Sequence, residues 1–594
     1  MSALTLGAGR TVAQQTPHQF SSSEKRFSYT NDRRLDGEIS EIFSGAEQRI
    51  SQSWESSARG PVKTEPQAAA PWWEKESAQS IDETGRSTRS ITLENLFIEA
   101  LEHSTQIRVF SDVPLIRETS IQEAEGVFDT RAFVQSVYEY TNDPITTLLE
   151  TGQESGRFEQ NAIRHQGGLR QRTGAGTEIT LALESNYLDN NSEFLTPNPQ
   201  TTSRLRLAIV QPIFKGAGFA YNRAIIDIAQ LDTDAALQEH LRQAESHLLE
   251  ITRAYWTLSF ARIAYLRKQK YFNQANSIAE ELQAREDLDA IEGQISRARS
   301  AVAFRNSEMV RARMEVLNAQ DRIRTLVNSP ELGALNTIEL IPTDPIITER
   351  YPVSFQQSAR RALRQRPEIQ QAMLQIRAAA VRERIARNEV LPQLNLILEG
   401  YVAGVAADNN FGTAWNNQFS DGRPGWLAGF SFEFPLGNHT AKAKRLRRQL
   451  EVRQQFNQLR TTIDTVLLEV QASVREVETA FEDYQAKHEA MKAAEAEFEQ
   501  FTARREVDTA PDAAALRSQS WYLDEWLNTQ ARLEFAEQEF ARVATIYQVA
   551  LVNLERAQGN LLLKEQISVV RDTDEDRLPL LRLEKQTRPS TRSK

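Results

Sequence analysis

The stretch Arg204-Leu205-Arg206-Leu207-Ala208-Ile209-Val210-Gln211-Pro212-Ile213-Phe214 decides the fold, because its pattern returns as Phe430-Ser431-Phe432-Glu433-Phe434-Pro435-Leu436-Gly437. In both, apolar residues alternate with polar or small ones up to a proline. A period of two marks a strand with one apolar face. Each proline is followed by a very long stretch almost empty of helix breakers, Phe219 to Glu292 and Asn438 to Ala510. As continuous helices these would run roughly 100 Å at about 1.5 Å per residue, too long to fold back inside a compact domain.

Further strands flank these units. Ile179, Leu181 and Leu183 alternate with Thr180, Ala182 and Glu184, and Leu394, Leu396 and Leu398 with Asn395, Ile397 and Glu399. Between Leu398 and Phe430 lies a loop rich in Gly, Asn and Asp that carries Phe411, Trp415, Phe419 and Trp426, as suits the outer end of a membrane hairpin. The long helices keep a heptad seam. It reads Leu237, Leu241, Ala244, Leu248, Ile251, Tyr255 and Leu258 in one, and Ile463, Val466, Val470, Ser473, Val477, Ala480 and Tyr484 in the other. A return helix carries Leu533, Ala536, Phe540, Val543, Tyr547, Ala550 and Leu554. Steps of three and four define a left-handed coiled-coil seam.

The whole unit is duplicated. One repeat opens at Ile91-Thr92-Leu93-Glu94-Asn95-Leu96 and runs through Ala100-Leu101 to Ile107; the other opens at Val353-Ser354-Phe355 and runs through Ala362-Leu363 to Ile369. Thr92 and Ser354 are the expected helix N-caps. The expected organisation is therefore a disordered leader over 1–90, a first repeat over 91–340, a second over 341–567 and a solvated tail over 568–594. The leader is rich in Ser, Gln, Glu and Arg, with Trp72-Trp73 as its one apolar feature. Ala13 before Gln14-Gln15 fits the remnant of a signal peptide whose start lies upstream. Extended pieces at Val127 to Tyr140 and Gly168 to Arg172 belong to an insertion over 111–177 that the duplication does not place.

Composition excludes several classes. The 594 residues are acidic, with net charge -11, and contain no cysteine; mean hydropathy is -0.51. Disulfides, thiolate metal sites and cysteine nucleophiles are thus ruled out, and no polybasic run suggests nucleic acid. No apolar window is long enough for a membrane helix, whereas alternating barrel strands escape a hydropathy scan. The seven histidines show no metal-ligand spacing, and there is no GxSxG or Walker loop. Lys215-Gly216-Ala217-Gly218 lacks the third glycine of a dinucleotide loop, and with Pro212, Pro435 and Gly437 it reads as a strand-to-helix corner. No enzyme activity, cofactor or metal is expected. About four strands per chain cannot close a transmembrane barrel, for which about eight are the minimum, so membrane strands here require other copies of the chain.

This order of elements resembles the outer membrane efflux protein family, the TolC-type channels of drug efflux and type I secretion, over about residues 91–567. The resemblance rests on the duplicated openings, on Leu391-Pro392-Gln393-Leu394-Asn395-Leu396, on the exits at Pro212 and Pro435, and on the close Ala557-Gln558-Gly559-Asn560-Leu561-Leu562. It implies an α+β membrane protein, a homotrimer with a twelve-stranded outer-membrane β-barrel set in outer-membrane lipid. Below it, an α-barrel of helical hairpins crosses the periplasm to meet an adaptor (membrane fusion) protein and an inner-membrane transporter. Such a channel is a passive conduit for small molecules or proteins. The tips fall near 284–296 and 504–515, where Arg285-Glu286-Asp287-Leu288 with Gly293, and Pro511-Asp512, replace the family's arginine-and-glycine signature. Counting back from Gly559 puts Asp524 and Glu525 near the family's periplasmic carboxylate gate, where a trimer would gather three copies of each. A structural coiled-coil scaffold of the periplasm is the alternative reading, since it would explain the helices equally well.

Overall fold

The computed structural model describes residues 33–54, 73, 80–81, 87–145, 147, 151–152, 156–284, 292–333, 337–507, 513–572 and 579–585, with the backbone alone for 33, 53–54, 504–507 and 513–522. In chain order the elements are α1 (Arg33–Trp54), β1 (Ser87–Ile91), α2 (Leu93–His103), α3 (Thr105–Glu125), β2 (Arg131–Pro144), β3 (Arg157–Arg172), β4 (Glu178–Asn190), β5 (Gln200–Pro212), α4 (Ala224–Ala284) and α5 (Glu292–Val327). The second half adds β6 (Ile338–Pro342), α6 (Phe355–Gln365), α7 (Pro367–Glu389), β7 (Gln393–Ala407), α8 (Phe411–Ser420), β8 (Gly425–Glu433), α9 (His439–Val507), α10 (Ala513–Ala557), β9 (Ile567–Asp572) and β10 (Leu580–Lys585).

The duplication is present in space. Thr92 caps α2 by accepting from the Asn95 amide at 3.2 Å, and Ser354 occupies the same place before α6. Leu96, Ala100, Leu101 and Ile107 are buried in the first repeat, as are Ala359, Ala362, Leu363 and Ile369 in the second. β1 and β6 pair in parallel and tie the two halves. The helix α4 has 61 residues and α9 has 69, so the stalk runs to about 90–100 Å at about 1.5 Å per residue. Its upper half is a row α3–α4–α7–α9 and its lower half a row α5–α4–α10–α9. Of the seam residues expected on these helices, Ala244 to Leu258 and Ile463 to Tyr484 are buried at every expected step. Leu237, Leu241 and Ala536 are half-buried.

Four expectations are corrected. The leader is not without structure: α1 presents Ile42, Ala46 and Ile50 to Ala359, Leu363 and Leu459 of the second repeat, while Trp73 is buried against Phe540 at 5.0 Å. Spacings of four places put those three α1 residues on one helical face, which overrides the polar average of the segment. The signal-peptide remnant lies outside the described residues. The tail from 568 is also ordered in part, as β9 and β10 form a hairpin with Ile567, Leu581 and Leu583 buried. The insertion over 111–177 holds the end of α3 and the strands β2 and β3, so one sheet of six strands, β2-β3-β4-β5-β7-β8, replaces the four expected. Finally, the loop from Leu398 to Phe430 contains a helix, α8, capped by the Asn410 side chain.

Docking of α1 is testable. Ala46 has no exposed surface, so Ala46→Glu buries an unpaired carboxylate and should release the helix. Trypsin cleavage at Arg49, which pairs with Asp464 at 2.7 Å, should then accelerate at least tenfold. Unchanged protection would show that α1 does not depend on this seat.

Candidate functional site

The sheet has two faces of opposite chemistry, and strand register creates both. Alternation puts Ala132, Val134, Tyr138 and Tyr140 of β2 on one side with Ile163 and Leu169 of β3 and Ile179, Leu181 and Leu183 of β4. The same side continues through Leu205, Leu207 and Ile209 of β5, Leu394, Leu396, Leu398 and Val402 of β7, and Trp426, Phe430 and Phe432 of β8. From Ala132 to Tyr138, and at the matching levels of the other strands, this face carries no Asp, Glu, Lys or Arg. Much of it is bare: Val134 is 87% exposed, Trp426 80% and Phe430 78%. An apolar area of this extent has to be covered by something other than water.

The opposite face is polar and internally paired. Arg164 meets Glu139 at 2.6 Å, and Arg206 bridges Glu184 at 3.1 Å and Glu399 at 3.3 Å. Gln166 donates to Glu184 at 3.4 Å, and the Arg204 guanidinium lies 4.6 Å over the Tyr401 ring. Charges from β2 to β7 are thus linked side by side across the sheet. At the outer end α8 lies on the apolar face: Gln418 and Ala414 are buried, and a Cβ on Gly404 would come within 2.4 Å of the helix backbone. The far side of α8 is the aromatic stripe Phe411, Trp415 and Phe419, with ring centroids 6.4 and 5.3 Å apart.

The corners bolt the two repeats together. The Ile213 amide donates to the Leu394 carbonyl at 2.7 Å, Lys215 to Pro392 at 3.2 Å, and Gly216 to the Asn388 side chain at 2.7 Å. Gly216, Gly218 and Gly437 have φ of 82°, 87° and 91°, a region that only glycine enters without strain. Buried Asn222 donates to the carbonyls of Gly216 and Gly218 at 2.8 and 3.0 Å and accepts from Arg172 at 2.8 Å. Pro212 closes β5 opposite Asn395, while Pro435 lies in the exposed run Phe434 to Leu436 after β8.

No family model matches the chain, and no curated protein matches it in sequence. Solved structures do match. The outer-membrane channel OprN superposes with a TM-score of 0.57 at 16% identity, covering 85% of this chain and 99% of that one. The Campylobacter jejuni CmeC outer membrane channel gives 0.56 at 14%, over 84% and 94%. The outer membrane protein VceC from Vibrio cholerae gives 0.55 at 16%, over 79% and 96%. The chain has the TolC-type fold of the outer-membrane efflux channels.

Within that channel fold, Asp524 and Glu525 do not converge. Asp524 pairs with Arg297 of α5, whereas Glu525 meets Arg532 at 3.0 Å, and Arg532 also reaches Glu497 of α9 at 2.8 Å. Asp524 therefore joins α10 to α5, whereas Glu525 pairs within α10 with the arginine that reaches α9. The expected tip residues 285–291 and 508–512 lie outside the described residues. Among the described residues no group of three or more His, Asp or Glu could hold a metal ion, and no helix is long and apolar enough to cross a membrane.

Sequence reasoning missed an ionic knot where the repeats meet. Arg366, at the start of α7, is buried and binds Glu368 and Glu469, both at 2.8 Å. Burial works against its charge, but the two carboxylates prevail and raise its pKa. Nearby Glu245 of α4 is pushed up to about 8, first by burial and then by Glu368. The pattern Arg366-Pro367-Glu368 at a helix start was the one local signal; the long-range partners had none. A carboxyl whose folded pKa exceeds its unfolded value binds more protons when folded, so stability falls as pH rises from about 4.5 to about 8. Glu245→Gln should flatten that decline. Its gain should be on the order of 1–2 kcal/mol at pH 8 and negligible at pH 4, read from thermal unfolding at both pH values.

Proposed function

We propose that the chain is the outer-membrane component of a tripartite export system, a passive conduit that works as a homotrimer. The observation that carries this reading is the two-faced sheet, bare and uncharged outside, polar and ion-paired inside, mounted on a helical stalk of about 100 Å. A sheet of six strands has two edges, and in hydrocarbon each unpaired backbone group costs several kcal/mol. Further copies supply the missing partners. The apolar face then meets outer-membrane lipid, with α8 and its aromatic stripe at headgroup level, and the ion-paired face lines the lumen. The stalk is long enough to carry the lumen across the periplasm, where a membrane-fusion adaptor and an inner-membrane transporter would dock on its tips. Such a conduit performs no chemistry, so transport energy comes from the inner-membrane partner. Drug efflux and type I secretion are both served by this design.

Fractionation tests the reading. The chain should sediment with the outer membrane, run as a heat-modifiable trimer and open conducting channels in planar bilayers. Recovery as a soluble monomer would sink the proposal and favour a periplasmic scaffold.

Asp524 and Glu525 remain the gate candidates within this reading. Asp524 holds α10 against α5 through Arg297, and Glu525 orients Arg532, which reaches Glu497 of α9; these are contacts that a closed tip would have to loosen. The double variant Asp524→Asn, Glu525→Gln removes the Arg297 link and both charges, and leaves Arg532 with Glu497 alone. Open time in planar bilayers should rise, and cation-over-anion permeability should fall at least twofold. Unchanged conductance and selectivity would remove the gate role.

A further inference from the structure

Resting on the channel reading, we infer that three copies close a barrel of eighteen strands, with β8 of one chain pairing antiparallel to β2 of the next, and that the pore mouth is correspondingly wide. The sheet order is β2-β3-β4-β5-β7-β8, antiparallel at every step. With an even number of strands, β2 and β8 run in opposite directions. A rotated copy therefore presents β2 to β8 in the antiparallel sense, and three copies close with no mismatched joint.

Three further observations put β2 and β3 in the wall rather than outside it. First, the apolar band and the charged ladder both run through them without a break: Val134 and Tyr138 continue the outer face, and the Glu139–Arg164 pair continues the inner one. Second, from Ala132 to Tyr138 on β2 and from Trp426 to Phe432 on β8 the two open edges carry none of the charges or prolines that blunt an edge left in water. Instead they expose Val134 and Tyr138 on β2 and Trp426 and Phe430 on β8. Third, the helices attached to those edges show the same need for a neighbour. On α3, leading into β2, Val109, Val113 and Ile116 are exposed at helical spacing, and on α9, leading out of β8, so are Leu446 and Leu450. The seam between chains thus runs continuously from α9 and α3 into β8 and β2.

The dimensions agree. With strands about 4.8 Å apart and tilted by about 40°, twelve strands enclose a backbone diameter of roughly 24 Å and eighteen roughly 36 Å. Beneath the sheet each chain sets four helices, α3, α4, α7 and α9, side by side. Twelve helices in a ring at about 10 Å spacing have a diameter of roughly 38 Å. An eighteen-stranded barrel continues that tunnel at nearly constant width, whereas twelve strands would narrow it. Allowing about 5 Å of side chain on each wall leaves roughly 26 Å of free bore. Export of bulky hydrated solutes, polypeptides included, then meets no constriction at the outer membrane.

The absence of cysteine makes the seam directly testable in the full chain. Gln135→Cys or Val137→Cys on β2 is combined with Gly429→Cys or Ser431→Cys on β8; all four positions lie on the lumen side, open to an aqueous oxidant. Directly opposed residues in an antiparallel pair have Cα spacings of about 4.5–5.5 Å, within disulfide reach. The expected result is covalent trimers from at least one pair, and passage of polymers of about 20 Å diameter in bilayer exclusion measurements. Replacing the β2 cysteine by Thr180→Cys on β4 should give none. If membrane-inserted trimers instead cross-link only between β8 and β4, the β2–β3 hairpin lies outside the wall and the inference fails while the channel reading stands. A chain that forms no membrane trimer overturns both.

Discussion

Unpaired backbone groups cost several kcal/mol each in hydrocarbon, and the six-stranded sheet carries two rows of them at β2 and β8. Much of the remaining architecture follows from that debt. The apolar face can be left bare only if lipid covers it, and lipid contact is tolerable only if the edges close. Closure needs other copies, and copies can be kept in register only by something rigid outside the membrane. The helical rows beneath the sheet are suited to that. Their seams are filled by Ala, Ser, Val and Ile as well as Leu, so the helices approach closely and form a stiff wall.

Strand and helix must therefore be joined firmly, and the corners do this with backbone hydrogen bonds rather than side-chain packing. Ile213, Lys215 and Gly216 of the first repeat donate to Leu394, Pro392 and Asn388 of the second. Those acceptors lie where α7 gives way to β7. The exit of one repeat is fixed to the entry of the other, which is how a duplicated chain becomes one sheet. The positive φ at Gly216, Gly218 and Gly437 lets the backbone reverse from strand to helix within a few residues. The glycine pair that superficially suggested a nucleotide loop has a structural use.

Periodicity revealed most of this, because period is local. The seams on α4, α9 and α10 and the strands β4, β5, β7 and β8 were legible from spacing alone. The segment containing α1 was not, since Leu35, Ile39, Ile42, Ala46 and Ile50 form one helical stripe inside a composition dominated by Ser, Gln, Glu and Arg. In β2, Tyr138 and Tyr140 on the outer face are separated by Glu139 on the inner one, and in β3 glycine and histidine dilute the apolar side. Their membership became clear only from register, which no local window contains. The same holds for the site. Glu184, Arg206 and Glu399 come from three strands, and Arg366, Glu469 and Glu245 from three helical segments, so neither cluster has a sequence spacing to detect.

Under the proposed reading, paired charges on the polar face also bear on what a conduit requires. A wall of isolated carboxylates or guanidinium groups would bind counter-charged solutes and slow them. In the sheet five charges already have a partner of opposite sign: Glu139 with Arg164, and Arg206 between Glu184 and Glu399. Exposed ion pairs contribute little to stability, typically about 0–1 kcal/mol, so folding alone gives weak reason to place them there. Their effect on the surface is larger, because mutual neutralisation keeps the wall wet while removing strong local fields. In the proposed trimer, discrimination among solutes would then have to arise where copies bring charges together or where the helices meet a partner, and the strands would be left to provide width.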